Sequence, residues 1–381
     1  MIKKVSLLYI LWRVFSFGPI ILGNFFITKR SGYDYIYFSH FLEKSIVPFG
    51  NILPLANFDG VYYLLISAGG YTSNAGFFPL FPLSISWATF AFRGFSYQSL
   101  LVVQLFAGVI LASLYLYLSL IVLYKLIKID YQRKTAFQTI FFILVFPTSF
   151  FFVAVYSESL FLLLSVLSFY FARKRSWFFA SLFAGLSTAT RFVGIAIIPS
   201  LIFEFVKQEK TLFKTKAVVL FLSLAGIIGY IMFNISKWGD AFYFIKAQGN
   251  FANNRSVESI VLFPQTVFRY IKIIFKVSST HFEWWISLLE LSSFIFGLIM
   301  IYICFKKNVR ASYIVFALIS LLMPASTGTL SGFPRYVLTI FPLFIGLALL
   351  NNRNLKIIYC IVVAILLFTL FALFSRGYYI A

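Results

Sequence analysis

Asp59 is the first residue of this chain whose type and setting invite chemistry. It sits in Asn57-Phe58-Asp59-Gly60-Val61-Tyr62-Tyr63, an acid among aromatic residues. The chain runs on through Gly69-Gly70-Tyr71 to Phe77-Phe78-Pro79-Leu80-Phe81-Pro82. A carboxylate in an aromatic pocket at a membrane surface is placed to take a hydroxyl proton as a general base. An Asp beside a Gly is also an ordinary turn, because its side chain bonds its own backbone.

Four further places carry polar residues between apolar stretches: Tyr156 with Glu158, Arg191, Trp238 with Asp240 and later Gln248, and Arg335 with Tyr336. Polar groups at membrane depth are costly and usually face a cavity or a partner. Each also has a plain structural reading. Glu158, between two serines, can cap a helix, and Arg191 can be its counter-charge. Asp240 after Gly239 can be a turn. Arg335 after Pro334 can snorkel to the interface.

Composition sets the frame that carries these residues. Hydrophobic residues make up 61% of the 381-residue chain and charged residues 11%, with a mean hydropathy of +0.94. So little polar surface excludes a soluble globular protein and implies one all-α polytopic membrane domain spanning 1–381. The net charge of +21 would suggest nucleic acid in a soluble protein, but here the basic residues cluster in short loops, as cytoplasmic loops do. No nucleic-acid partner is expected. Cys304 and Cys360 give neither a disulfide framework nor metal spacing, and His40 and His281 are the only histidines.

Hydropathy and the positive-inside bias predict about eleven spans, with the N-terminus inside and the C-terminus outside. Lys3-Lys4 precedes an uncleaved first span over about 5–27. An outer segment, 28–95, follows, in which 78–92 lies at the interface or re-enters. Further spans are expected at about 97–124, 136–153 and 159–172. Two short ones, at about 177–190 and 192–206, meet at Arg191. Each has about 15 residues, roughly 22 Å of helix against a core of about 30 Å, so they stop within the outer half of the membrane or below a recess. Lys207, Lys210, Lys214 and Lys216 close that hairpin inside.

Span seven (about 217–236) opens a second outer segment, 237–283, with Gln248, Asn250, Asn253, Asn254 and Arg255. Arg269, Lys272 and Lys276, spaced three and four apart among apolar residues, predict a basic amphipathic helix lying on the surface. The last spans are expected at about 284–305 and 311–328, in one returning to Arg353 and Lys356, and at about 357–375. This scheme puts all five polar places at outer ends. The protein is then a multi-pass cell-membrane protein with its active face outside.

These residues also resemble the PIG-V family of mannosyltransferases, polytopic enzymes of the GT-C class. Phe58-Asp59, Gly70-Tyr71 and Phe77 to Pro82 match that family's aromatic-Asp, Gly-Tyr and Phe-Phe-Pro-Leu-aromatic-Pro elements. Tyr156 to Ser159, Thr190-Arg191, Trp238 to Asp240 with Gln248, and Pro334 to Tyr336 match its later elements in order. Phe58 replaces the usual Trp, and Ser73 and Asn74 stand where many members carry an acid. The resemblance implies a GT-C-like helical bundle that transfers mannose or a related hexose from a polyprenyl-phosphate donor. Asp59 is the expected catalytic residue. Tyr156, Glu158, Arg191, Trp238, Asp240, Gln248, Arg335 and Tyr336 are the expected substrate and donor residues.

Neither Asp-x-Asp nor a Gly-rich phosphate loop occurs on the chain. A lipid-linked sugar phosphate needs neither, because its chain can lie between helices and its phosphate can be held by arginine in a fork. No metal or other cofactor is expected. The expected partners are the polyprenyl-phosphate sugar, a lipid or glycan acceptor, and membrane lipids. A transporter or flippase would also show intramembrane charges. A non-catalytic assembly subunit and a GT-C enzyme acting on another acceptor are the remaining alternatives.

Overall fold

In the computed structural model, residues 2–31, 36–42, 50–210, 215–250, 256 and 261–380 are described, with the backbone alone at 215 and 250. Lys214, Asn253, Asn254 and Arg255, and the side chain of Asn250, lie outside the described residues. All regular structure among the described residues is helical. The first half comprises α1 (Ile2–Phe15), α2 (Phe17–Phe26), α3 (Asp59–Gly69), α4 (Leu80–Ala88), α5 (Tyr97–Asp130), α6 (Arg133–Val145), α7 (Glu158–Arg173), α8 (Trp177–Thr188) and α9 (Ile197–Glu209). The second half comprises α10 (Ala225–Trp238), α11 (Tyr243–Lys246), α12 (Phe263–Lys276), α13 (Phe282–Lys306), α14 (Ala311–Ala325), α15 (Phe333–Thr339), α16 (Phe341–Ala348) and α17 (Arg353–Ser375).

Five helical stretches among the described residues are long and apolar enough to cross a membrane: 2–26, 97–130, 216–238, 282–306 and 353–375. The stretch 216–238 joins a 3-10 segment, Thr215–Leu224, to α10. At about 1.5 Å per residue, α5 with its 34 residues is roughly 50 Å long and outreaches a hydrocarbon core of about 30 Å. Inside this frame sit α7, buried along nearly its whole length, and α16, buried throughout. A helix that is apolar all round belongs in such an interior.

Small residues bring backbones close where the spans pack. A Cβ added at Gly226 would stand 2.0 Å from the carbonyl oxygen of Gly185, and one at Gly185 would stand 2.5 Å from that of Leu222. Where α8 meets the 216–238 stretch, the Thr188 hydroxyl also accepts from the Ile227 N–H at 3.1 Å.

Two expected spans are broken. The span expected over 136–153 ends as an α-helix at Val145, because Pro147 forces Phe146 out of the helical region (φ −59°, ψ 143°). Residues 146–157 then run as buried, largely non-helical chain whose polar groups are met by neighbours, as lipid exposure would not allow. Thus the Val155 N–H donates to the Leu55 carbonyl at 2.8 Å and the Thr148 hydroxyl to the Pro334 carbonyl at 3.1 Å. The span expected before Arg353 is two short helices, α15 and α16, parted at Ile340 just ahead of Pro342.

One end of the bundle is clasped by charge. Glu204 on α9, fully buried, accepts from Arg310 Nη2 at 2.5 Å, from Arg310 Nε at 2.7 Å, from the Ser312 hydroxyl at 2.7 Å and from Gln208. Arg173 at the end of α7 pairs with Asp130 at the end of α5 at 2.6 Å. The far ends of α5, α7, α9 and α14 are therefore tied together. The opposite ends of α7 and α14 face the candidate site.

Candidate active site

Asp59 and Glu158 each open a helix, α3 and α7, where the exposed N–H groups and the helix dipole favour a carboxylate. The residue before Asp59 is unusual. Phe58 has φ 58° and ψ −118°, a conformation costing an aromatic residue about 1–3 kcal/mol. It is held there by its N–H to the Ile36 carbonyl at 2.9 Å and by ring contacts with Phe374 and Tyr379 at 5.5 and 5.4 Å. The buried Tyr156 hydroxyl donates to the Asn57 carbonyl at 2.9 Å and accepts from the Asp59 N–H at 3.2 Å. Its ring and hydroxyl thus fix the backbone that carries Asp59.

Two arginines meet the two acids. Arg335, on α15, donates from Nη1 to Asp59 Oδ2 at 2.5 Å and stands 3.9 Å from Glu158 Oε1. Arg191, in extended backbone between α8 and the 3-10 segment Phe192–Ala196, donates from Nη1 to Glu158 Oε1 at 2.5 Å. The result is a balanced chain of four charges, Asp59–Arg335–Glu158–Arg191. Balance matters because an unpaired charge at this depth would cost several kcal/mol, roughly 3–5 when one partner is lost. The guanidinium groups also lie over aromatic faces: Arg335 over Phe151 at 5.3 Å and Tyr156 at 5.4 Å, Arg191 over Tyr336 at 5.1 Å. Arg335 Nε and Glu158 Oε2 are buried and without a hydrogen-bond partner among the described residues, so the network is not saturated.

The network forms one wall of a cavity of 820 Å³. Side-chain exposure falls along it, from 28% at Asp59 to 8% at Arg335 and 1% at Glu158. Asp59 therefore faces the open space while Glu158 braces the arginines from behind. Phe58, Tyr62, Phe77, Phe282, Tyr336 and Tyr379 supply aromatic walls. Arg30, Arg191, Arg269 and Arg335 line the cavity against Asp59, Glu283 and Glu290, a balance that attracts an anion.

Of the residues singled out from sequence, Asp59, Arg191, Gln248, Arg335 and Tyr336 line this cavity, and Tyr156 and Glu158 stand behind its wall. Trp238 and Asp240 do not line it. Trp238 donates to the Thr72 carbonyl at 3.1 Å and stacks on Tyr243 at 4.7 Å. Asp240 pairs with Lys246 at 2.6 Å and accepts from the Phe242 N–H at 2.9 Å, contacts that hold its carboxyl below the usual range. That is the turn reading of Gly239-Asp240. The cavity adds residues not singled out for it, notably Arg30, Tyr270 and Glu290. Glu290 carried a signal, as a carboxylate in the middle of an apolar span is rarely idle.

Residues 37–215, just under half of the chain, match the family model for mannosyltransferase (PIG-V). The match contains Asp59, Tyr156, Glu158 and Arg191, and it supports a membrane glycosyltransferase. A search of curated proteins finds no match. Among solved structures, the apo oligosaccharyltransferase of Archaeoglobus fulgidus aligns at a TM-score of 0.48 and 15% identity, over 99% of this chain and 56% of that one. The chain thus spans little more than half the length of that protein.

Proposed function

We propose that this PIG-V-like protein transfers a hexose, mannose by its family, from a polyprenyl-phosphate donor to a lipid or glycan acceptor at the outer membrane face. The whole chain, 1–381, acts as one membrane domain. The observation that carries the reading is the Asp59–Arg335 pair on the wall of an aromatic, arginine-rich cavity. An anionic phosphate competes with Asp59 for Arg335 and takes a share of Arg191 as well. Guanidinium suits this exchange because its fork binds phosphate oxygens and carboxylate equally.

With Arg335 drawn toward the donor, Asp59 is free to accept a proton. The acceptor hydroxyl oxygen then bonds the anomeric carbon while the bond from that carbon to the phosphate oxygen breaks. Its electron pair leaves with the phosphate, which needs no proton, and the hydroxyl proton moves to Asp59. A single displacement inverts the anomer, so a β-linked donor gives an α-linked product. General-base help is worth about 10²–10⁴-fold. Aromatic walls such as Tyr62 and Tyr336 exclude water and stack against the sugar.

The donor class is tested with purified protein given labelled mannose either on polyprenyl phosphate or on GDP. Transfer is expected from the lipid-linked donor alone and unchanged by EDTA. Efficient transfer from GDP-mannose that EDTA abolishes would assign a different donor.

The outer location of the site rests on the distribution of Lys and Arg among short loops. Single cysteines placed in a chain lacking Cys304 and Cys360 should react at 57–76 and 238–256 from outside, and at 128–134 and 207–216 from inside alone. Labelling of 57–76 exclusively from the cytoplasm would reverse the orientation.

A further inference from the structure

Arg335 owes its position to the turn before it. That turn, 326–332, joins α14 to α15 and contains two glycines in left-handed backbone, Gly328 (φ 80°) and Gly332 (φ 78°), with Gly332 capping α15. Such a segment has little rigidity of its own. It is instead pinned from outside by α12 and α13. The Thr266 hydroxyl donates to the Ala325 carbonyl at 2.9 Å, and Arg269 Nη1 donates to the Gly328 carbonyl at 3.0 Å.

The centre of this strap is a buried pair, Tyr270 and Glu290. The Tyr270 hydroxyl donates to Glu290 Oε2 at 2.7 Å, accepts from the Leu330 N–H at 3.0 Å and touches the Thr329 hydroxyl at 3.2 Å. Glu290 Oε1 accepts from the Gly332 N–H at 3.1 Å. The Arg335 N–H donates to the Gly332 carbonyl at 3.1 Å, so the helix that holds Arg335 starts on the residue whose N–H Glu290 grips.

We propose that Glu290 and Tyr270 are positioning residues, a strap that sets Arg335 against Asp59 and the donor phosphate. The inference rests on the transferase reading above for its consequence, though not for its geometry. Both Glu290 oxygens are engaged by protein donors, so its work is to hold the turn. Displacing a catalytic group by about 1 Å can cost on the order of 10²-fold in rate. A loosened turn lowers turnover more than it lowers ground-state donor binding.

The test compares Tyr270→Phe, Glu290→Ala and Glu290→Gln in two measurements on the full-length protein. The first is hydrogen exchange of the 326–335 amides, with the α7 amides as an internal control. Tyr270→Phe and Glu290→Ala should speed exchange at 326–335 by about tenfold while α7 stays protected, because each removes buried hydrogen bonds. Glu290→Gln, which still accepts from Gly332, should stay near the parent. The second is transfer from polyprenyl-phosphate mannose, where kcat should fall about tenfold in the first two variants and donor KM should change less. Parental exchange at 326–335 in both Tyr270→Phe and Glu290→Ala would overturn the strap. Faster exchange with parental kcat would overturn its role in positioning Arg335. A parent protein that transfers no sugar would overturn the transferase reading instead, and the exchange data would still decide whether these residues hold the turn.

Discussion

Asp59→Asn should leave expression and donor binding nearly intact while sugar transfer falls by about 10²-fold or more. Asparagine keeps the volume of the side chain and can still accept from Arg335, so the contact seen at 2.5 Å survives in neutral form. It cannot take a proton at neutral pH. The substitution also removes one negative charge from a wall that holds two arginines, so donor affinity should hold or improve. A turn residue at the start of α3 would behave otherwise, since Asn is well tolerated in turns. Transfer at the parental rate by Asp59→Asn would remove Asp59 from the reaction.

Arg335→Ala is expected to be the second severe change, and it acts on two quantities. Loss of one charge-stabilising donor typically lowers turnover by about 10²–10³-fold. Arg335 is also the centre of the charge chain, between Asp59 at 2.5 Å and Glu158 at 3.9 Å, with only 8% of its side chain exposed. Removing it leaves buried Glu158 balanced by Arg191 alone and Asp59 without its cation. A loss of roughly 3–5 kcal/mol follows, visible as a lower unfolding temperature in detergent. Arg335→Lys separates the two effects, because it keeps the charge and loses the fork. Stability should largely return with lysine while transfer stays about tenfold or more below the parent. Full transfer by Arg335→Lys would mean that a point charge suffices there.

The sequence made these residues legible because polar side chains stand out against so apolar a background. Asp59, Tyr156, Glu158, Arg191 and Arg335 come from four separate stretches and meet in one network. That convergence follows from placing each at the same end of its span. Trp238 and Asp240 carry a similar residue pattern but do not line the cavity. Gly239 in left-handed backbone and the bond from the Phe242 N–H to Asp240 are local turn chemistry, which gives the same residue pattern as a site.

Other features were hidden for physical reasons. Pro147 and Pro342 break apolar runs that a hydropathy average reads as continuous. Glu204 vanishes into such averages too, though it is buried and heavily bonded. Arg269 and Tyr270 sit on a helix whose exposed Phe268, Ile271 and Phe275 mark it as amphipathic. Periodicity places such a helix at a surface but does not say which turn its inner face holds.

A structure of the protein with a polyprenyl-phosphate sugar analogue bound tests the roles of Asp59 and Arg335 directly. The phosphate should lie within hydrogen-bond reach of Arg335 and Arg191, with the anomeric carbon turned toward Asp59 and the Asp59–Arg335 contact lengthened. A headgroup seated outside the 820 Å³ cavity, with Asp59 still paired to Arg335 and facing no sugar, would contradict the account.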